Sequence, residues 1–367
     1  MQWKRLRVGV APFTWMLFWL AITVTVHAQA NLRGVIDIHV HVDPDSIPRS
    51  IDAIDLAKLA KRYGMRGFVM KNHYESTAAL AYIVRKEVPG VEAFGGIDLN
   101  RSVGGVNPAA IERMVLMKGG WGKVVWMPTF DNENQVRFSK ENWPFVSVSR
   151  AGHLLPEVEE VIRLATEHQL TLETGHCSPS DGLLVVHEAR RQGVRHVIVT
   201  HAMADPVRMT VPEMQEAARA GAYIEFVYGA TLPPVSSVPD ASRPVAMSAY
   251  ANAIRAIGPR FCILASDLGQ VGNPLPPDGL IMFFEALRKQ GIAQADIDLM
   301  SKTNPAEALS LPTSADGRVA TEAAWQDGKF CRTEKICGKS KKNSGHGPAL
   351  LWKAQSLLRG VDWPDSN

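Results

Sequence analysis

The sequence predicts an α/β fold, a (β/α)₈ TIM barrel with parallel strands. Two observations predict it. From Gly34 onward, short runs rich in Val and Ile alternate with longer stretches whose apolar residues recur at helical spacing. Such alternation builds parallel βαβ units, because a parallel crossover needs a connection of helix length. The units also number eight, and eight favour a closed barrel over an open sheet. No Gly-x-Gly-x-x-Gly follows the first strand, so a dinucleotide-binding fold lacks its usual support.

The elements follow in order. The first strand is Val35-Ile36-Asp37-Ile38-His39, and residues 51–63 carry apolar side chains at helical spacing. Strand two is read over 67–70 with its helix over 76–87, and strand three over 93–97 with its helix over 108–117. Residues 123–127 form strand four, and a long loop over 129–153 with Trp143, Pro144 and Phe145 follows it. Loops of that length are often functional lids. A helix over 156–168 leads to strand five, 170–173, and a helix over 182–192 to strand six, 196–199. A helix over 211–220 precedes strand seven, 222–226, and one over 244–257 precedes strand eight, 261–265. The helix over 279–289 closes the count. Strands this apolar fit a sheet buried on both faces.

Flanking segments depart from this pattern. Lys4, Arg5 and Arg7 open the chain, an apolar run over 8–26 follows, and Ala28-Gln29-Ala30 ends it. This is the layout of a secretory signal peptide over residues 1–30, which places the barrel, residues 31–312, in the periplasm or outside the cell. The alternative is an uncleaved membrane anchor, since the run approaches the length that spans ~30 Å of hydrocarbon. Residues 313–367 are polar, cluster Lys339, Lys341 and Lys342, and read as a mostly disordered tail. In an oxidising compartment Cys331 and Cys337 of that tail could pair. The composition, 46% hydrophobic and 21% charged with a net charge of +3, is that of a globular protein and gives no reason to expect a nucleic-acid partner. A small-molecule substrate is the expected partner, and a homo-oligomer stays open.

The chemistry sits at strand ends. His39 and His41 stand two apart on strand one, so alternation sends both imidazoles to the same side. Strand two ends in Lys71-Asn72-His73, strand five in Thr174-Gly175-His176, strand six in Thr200-His201 and strand eight in Ser266-Asp267. A single histidine is usually packing or surface. Several polar groups, each just past the apolar part of a different strand, converge on the C-terminal mouth of a barrel. Imidazoles and a carboxylate are the donors a zinc-like divalent ion takes. Glu173 reads as an inward carboxylate satisfied by a barrel Lys or Arg, and Glu225 stays open.

This arrangement resembles the amidohydrolase superfamily of metal-dependent hydrolases over about residues 34–311, and is most similar to an uncharacterised branch of it. The matching positions are His39 and His41, His176, His201 and Asp267, with Asn304-Pro305-Ala306 and Leu309 at the barrel's end. The resemblance implies these five as metal ligands, Zn²⁺ as the ion, and Asp267 and His201 as catalytic groups. It departs at strand four. Many binuclear members carry a carboxylated Lys or a Glu there, whereas this strand ends Trp126-Met127-Pro128-Thr129. Either one ion binds, or Lys71 serves as a carbamate bridge to a second ion or as a cationic substrate contact, with His73 as a further substrate contact.

The reaction so implied is attack of metal-activated water on an amide, ester or lactone bond of a small molecule. Asp267 would take the proton of that water, and His201, where it is not a ligand, would stabilise the oxyanion. The alternatives are a metal-dependent decarboxylase or lyase on the same barrel, and a non-catalytic metal-binding barrel protein.

Overall fold

The structure, a computed structural model, describes residues 32–235 and 243–312. The segments read as signal peptide (1–30) and tail (313–367), with Cys331 and Cys337, lie outside the described residues. Among the described residues no helix is long and apolar enough to cross a membrane.

Eight parallel strands form one nearly closed sheet in sequential order: β1 (Ile36–Val40), β2 (Gly67–Met70), β3 (Glu92–Asp98), β4 (Gly122–Trp126), β5 (Thr171–Glu173), β6 (His196–Val199), β7 (Tyr223–Val227) and β8 (Cys262–Ala265). Each neighbouring pair is hydrogen-bonded, as in Asp37 opposite Phe68 and Ile263 opposite Glu225. The remaining seam, between β8 and β1, is bridged at its C-terminal rim. The Asp267 amide donates to the His39 carbonyl (2.8 Å), the His41 amide donates to the Leu268 carbonyl (2.8 Å), and Val40 pairs with Leu268. The barrel thus closes where the candidate ligands sit.

Helices fill the connections, and local chemistry sets their ends. Asp52 caps α1 (Ala53–Arg62) by accepting from the amides of Ile54 and Asp55, and Lys61 and Arg62 close its last turn. Then follow α2 (Ala78–Glu87) and α3 (Pro108–Val115). The long loop after β4 holds a short helix of its own, α4 (Glu133–Phe138), and a two-residue ladder between Ser149–Arg150 and His153–Leu154. Next come α5 (Pro156–Glu167), α6 (Pro179–Gln192), α7 (Val211–Arg219), α8 (Met247–Ile257) and α9 (Pro276–Lys289). Gly193, at φ 90°, turns the chain out of α6 in the left-handed conformation that suits glycine.

The core has two shells. Ile36, Ile38, Phe94, Val124, Trp126 and Ile263 fill the barrel, and a larger apolar layer lies between strands and helices. The barrel floor is closed by α11 (Asn304–Ala308), after the short α10 (Gln294–Asp298) and a π-turn over Leu299–Thr303. Ala306, Ala308 and Leu309 join the interior cluster, and the Asn304 amide donates to the carbonyls of Pro259 and Cys262. That plug is the structural use of the Asn-Pro-Ala segment. Gly95 has a packing reason: a Cβ there would lie 2.4 Å from the Thr77 backbone at the start of α2.

Candidate metal centre

Strand β1 delivers His39 and His41, with one irregularity that simple alternation misses. Asp37 pairs with Phe68 but Val40 pairs with Met70, so β1 carries an extra residue between them. Such bulges re-aim side chains beside active sites. Both rings line the mouth cavity, their centroids 5.4 Å apart. Asp37 ties this turn down by accepting from the amides of His39 (3.3 Å) and Ser266 (2.9 Å). Burial pushes its carboxyl up to about 7.

From the other side of the seam comes Asp267, separated from the end of β8 by Ser266 alone. Its φ of 50° lies in the left-handed region that non-glycine residues adopt only where the surroundings enforce it. The result is convergence. Asp267 Oδ1 lies 3.2 Å from His39 Nε2 and 3.2 Å from His41 Nε2. All three ligand atoms fall within 4.8 Å of one another, a group that could hold a metal ion. The donor set, two imidazoles and a carboxylate, suits a borderline cation.

The surroundings fit that use. His39 Nδ1 donates to Glu225 (3.1 Å to Oε1), which leaves Nε2 as the nitrogen available to an ion. His41 Nδ1 is buried without a partner. Burial works against the Asp267 charge, but His39 and His41 hold its carboxyl well below the usual range. Desolvation and the Arg49 charge hold the His41 imidazole well down, in the neutral form a ligand needs. Desolvation also opposes charge on His39, yet Asp267 and Glu225 overcome it and raise its pKa.

His176 and His201 line the same cavity, at the ends of β5 and β6, with rings 4.9 Å apart. Neither belongs to the three-atom group. His176 Nδ1 donates to the Gln135 side-chain carbonyl (2.7 Å), and the His201 amide donates to Glu225 Oε2 (2.8 Å). Burial lowers the His201 imidazole to about 4. The His201 ring stacks on that of His39, their centroids 6.0 Å apart.

Lys71 lies among these groups and is buried. Its Nζ is 3.2 Å from His39 Nε2, 3.9 Å from Asp98 and 5.4 Å from the Trp126 ring. His73 lies between Phe130 (3.9 Å) and His41 (4.9 Å), and its Nδ1 meets Thr129 Oγ1 at 2.8 Å and Asp98 at 3.3 Å.

Sequence reasoning missed four contributors here. Asp98 ends β3 and anchors both Lys71 and His73. It follows Ile97 directly, so the strand-end argument that found Asp267 would have found it. Gln135 and Phe130 come from the long loop, and Arg49 from the turn after β1, where no periodicity marks them. Glu173 corrects an expectation: it is buried and inward, but a Thr200 hydroxyl holds it (3.0 Å) instead of a Lys or Arg, and Oε1 has no partner. Burial, with the nearby Glu225 charge, raises it to about 8. His153, also in the long loop, is exposed on the short ladder and does not line the cavity.

Fold and site together define a parallel eight-stranded barrel with a His-His-Asp group at its mouth that could hold a metal ion. Residues 34–225, just over half of the chain, match the model of the family described as "Family of unknown function (DUF6282)", and the chain belongs to that family. No curated protein matches the chain. Among solved structures, a putative 2-pyrone-4,6-dicarboxylic acid hydrolase from Pseudomonas putida is similar at 13% identity, covering 77% of this chain and 99% of that one with a TM-score of 0.50. The TatD homologue YJJV from Escherichia coli K12 is similar at 14% identity, covering 77% and 100%, again with a TM-score of 0.50. An amidohydrolase from Burkholderia multivorans with bound zinc is similar at 12% identity, covering 76% and 99%, with a TM-score of 0.49. At these identities the first two likenesses establish the fold, and the resemblance read from the strand-end motifs holds at that level.

Proposed function

We propose that the chain is a metal-dependent hydrolase that directs water at an amide, ester or lactone bond of a small molecule. The observation that carries this reading is the meeting of His39 Nε2, His41 Nε2 and Asp267 Oδ1 within 4.8 Å, at the mouth of a buried, histidine-lined cavity. His39, His41 and Asp267 would hold a divalent ion, Zn²⁺ by donor type, with His176 and His201 beside it. When bound, such an ion supplies Lewis acidity and lowers the pKa of water to about 7.

The chain's own groups have distinct work. Glu225 holds His39 in one tautomer, and Gln135 does the same for His176. Asp267, kept as a carboxylate, is the acceptor for the attacking water's proton. His201, neutral and beside His39, is placed to donate to oxygen as negative charge builds on it. Lys71 presents a cation to the substrate's remaining polar atoms, and His73, its faces covered by Phe130 and His41 and its Nδ1 held by Thr129, presents its Nε2 edge. Phe130 walls the cavity and restricts water. The one-ion reading is preferred, because strand four offers only apolar Trp126 and Met127 at its end. Export across a membrane, read from residues 1–30, belongs to the same proposal.

The test is metal analysis followed by a panel of amides, esters and lactones assayed in ¹⁸O-labelled water. Label in the product carboxylate supports hydrolysis. Carbon dioxide release without label points to the lyase alternative. Less than a tenth of an equivalent of metal after loading removes the site as drawn.

A further inference from the structure

The N-terminal face of the barrel, opposite the metal centre, carries a second concavity of about 380 Å³. Arg190, Arg195, His196, Tyr223, Arg260 and Phe261 line it, with the Gly221-Ala222 backbone. Three successive helix-to-strand connections build it. The first, from α6 to β6, gives Arg190, Arg195 and His196. The second, entering β7, gives Gly221 to Tyr223, and the third, entering β8, gives Arg260 and Phe261.

The arginines there form no ion pair among the described residues. The ion pairs of the described residues engage other arginines, and none of Arg190, Arg195 or Arg260 meets a carboxylate within 4 Å. Glu307, which accepts from the Tyr223 hydroxyl at 2.9 Å, pairs with none of the three arginines. Burial, with Arg195 and Arg190 beside it, holds the His196 imidazole down to about 4, so the ring is neutral near pH 7.

Two of the guanidiniums, those of Arg190 and Arg260, are also positioned. Arg190 Nη1 donates to the carbonyls of Val194 (2.7 Å) and Arg195 (2.9 Å), which fixes it across the turn. It lies against Gly221, where a Cβ would come within 3.2 Å of Arg190 Nε, and the φ of +97° there suits glycine. The Arg260 guanidinium sits over the Phe261 ring at 4.3 Å. Planar forks fixed in this way match the oxygens of a tetrahedral anion two at a time.

We infer that this concavity is an oxyanion-binding site, taking a phosphate or the phosphate group of a small ligand, on the face of the barrel opposite the metal centre. It is independent of the hydrolase reading, since no residue is shared between the two cavities.

The test is titration of the full-length protein with inorganic phosphate at constant ionic strength, followed by calorimetry and by the ring resonances of ¹³C-labelled His196. The expected result is saturable binding with a dissociation constant of about 1 mM or tighter, weakened at least about tenfold in Arg195→Ala/Arg260→Ala. Retention in His39→Ala/His41→Ala supports the proposal, because it places the anion away from the metal centre. The milder Arg260→Gln should weaken binding with an unchanged thermal midpoint, which separates lost binding from lost folding. No saturation by ~10 mM phosphate, a range set by ordinary weak-anion affinities, would overturn the site. So would undiminished binding by the double arginine variant, or loss of binding in the His39/His41 variant.

Discussion

His39 Nε2 and Asp267 Oδ1 lie 3.2 Å apart across the seam where the first barrel strand meets the last. The same two residues close that seam through their backbones, Asp267 N–H donating to the His39 carbonyl at 2.8 Å. Barrel closure and assembly of the candidate metal centre are therefore one event. Replacing His39 and His41 together by Ala should reduce bound metal from near one equivalent to below about a tenth, because a single carboxylate holds a divalent ion poorly. Elemental analysis after loading and desalting reads this directly, and retention of a full equivalent would place the ion elsewhere.

Glu225 sets the tautomer of His39 and also receives the His201 amide. Groups of this kind typically contribute 10–100-fold to affinity, so Glu225→Gln should weaken metal binding by about that factor with the site otherwise intact. Competition with a chromophoric chelator gives the constant. An unchanged affinity would mean that Glu225 serves only the backbone of His201.

Asp98 is the carboxylate nearest Lys71, at 3.9 Å, and both are buried. Removing one partner of a buried pair typically costs about 3–5 kcal/mol. Asp98→Asn should therefore lower the unfolding free energy by roughly that amount, and Lys71→Met on top of it should restore much of the loss. Urea denaturation of the four forms completes the cycle. Additive losses would show that Lys71 finds its compensation in another group.

Gly95 touches the start of α2 so closely that a methyl would lie 2.4 Å from Thr77 backbone atoms. Gly95→Ala should then destabilise by about 1–3 kcal/mol through overpacking, although alanine suits a strand at least as well as glycine. A thermal midpoint equal to that of the native chain would mean that α2 moves freely.

His196 opens β6 at the floor of the barrel, far from the metal centre. Burial, then Arg195 and Arg190, depress its pKa from 6.5 to about 4. Between those values the unfolded chain binds the proton more tightly than the folded one. The neutral ring's contribution to stability is therefore present above pH 6.5 and is lost as pH falls toward 4. His196 is only half-buried, so solvent screening reduces the contribution to on the order of 1 kcal/mol. His196→Gln should flatten the fall in stability between pH 6.5 and 4 that chemical denaturation shows for the native chain. Parallel curves for both would exclude His196 as its source.

The fold was legible because period and count survive in sequence. The strand cores sit within a residue or two of their expected places, since apolar Val and Ile runs have no other use in a buried parallel sheet. The site was legible only in part. Strand-end position singled out His39, His41, His176, His201 and Asp267, all of which line one cavity. The same reasoning passed over Asp98, which sits in a strand end as plain as the others. It also could not find Gln135, on the short α4, or Phe130, just before it, because the direction of both is set by what that segment packs against.

The sequence by itself determined that eight strand-helix units would form a barrel and that its donors would gather at one mouth, because alternation along a strand and the direction of parallel crossovers are local properties. Only the tertiary structure decided which donors meet. His41 and Asp267 are 226 residues apart, and their approach to 3.2 Å depends on a one-residue bulge in β1, a left-handed turn after β8 and the seam between those strands. These are consequences of closing the sheet, and no window of sequence contains both edges of a barrel.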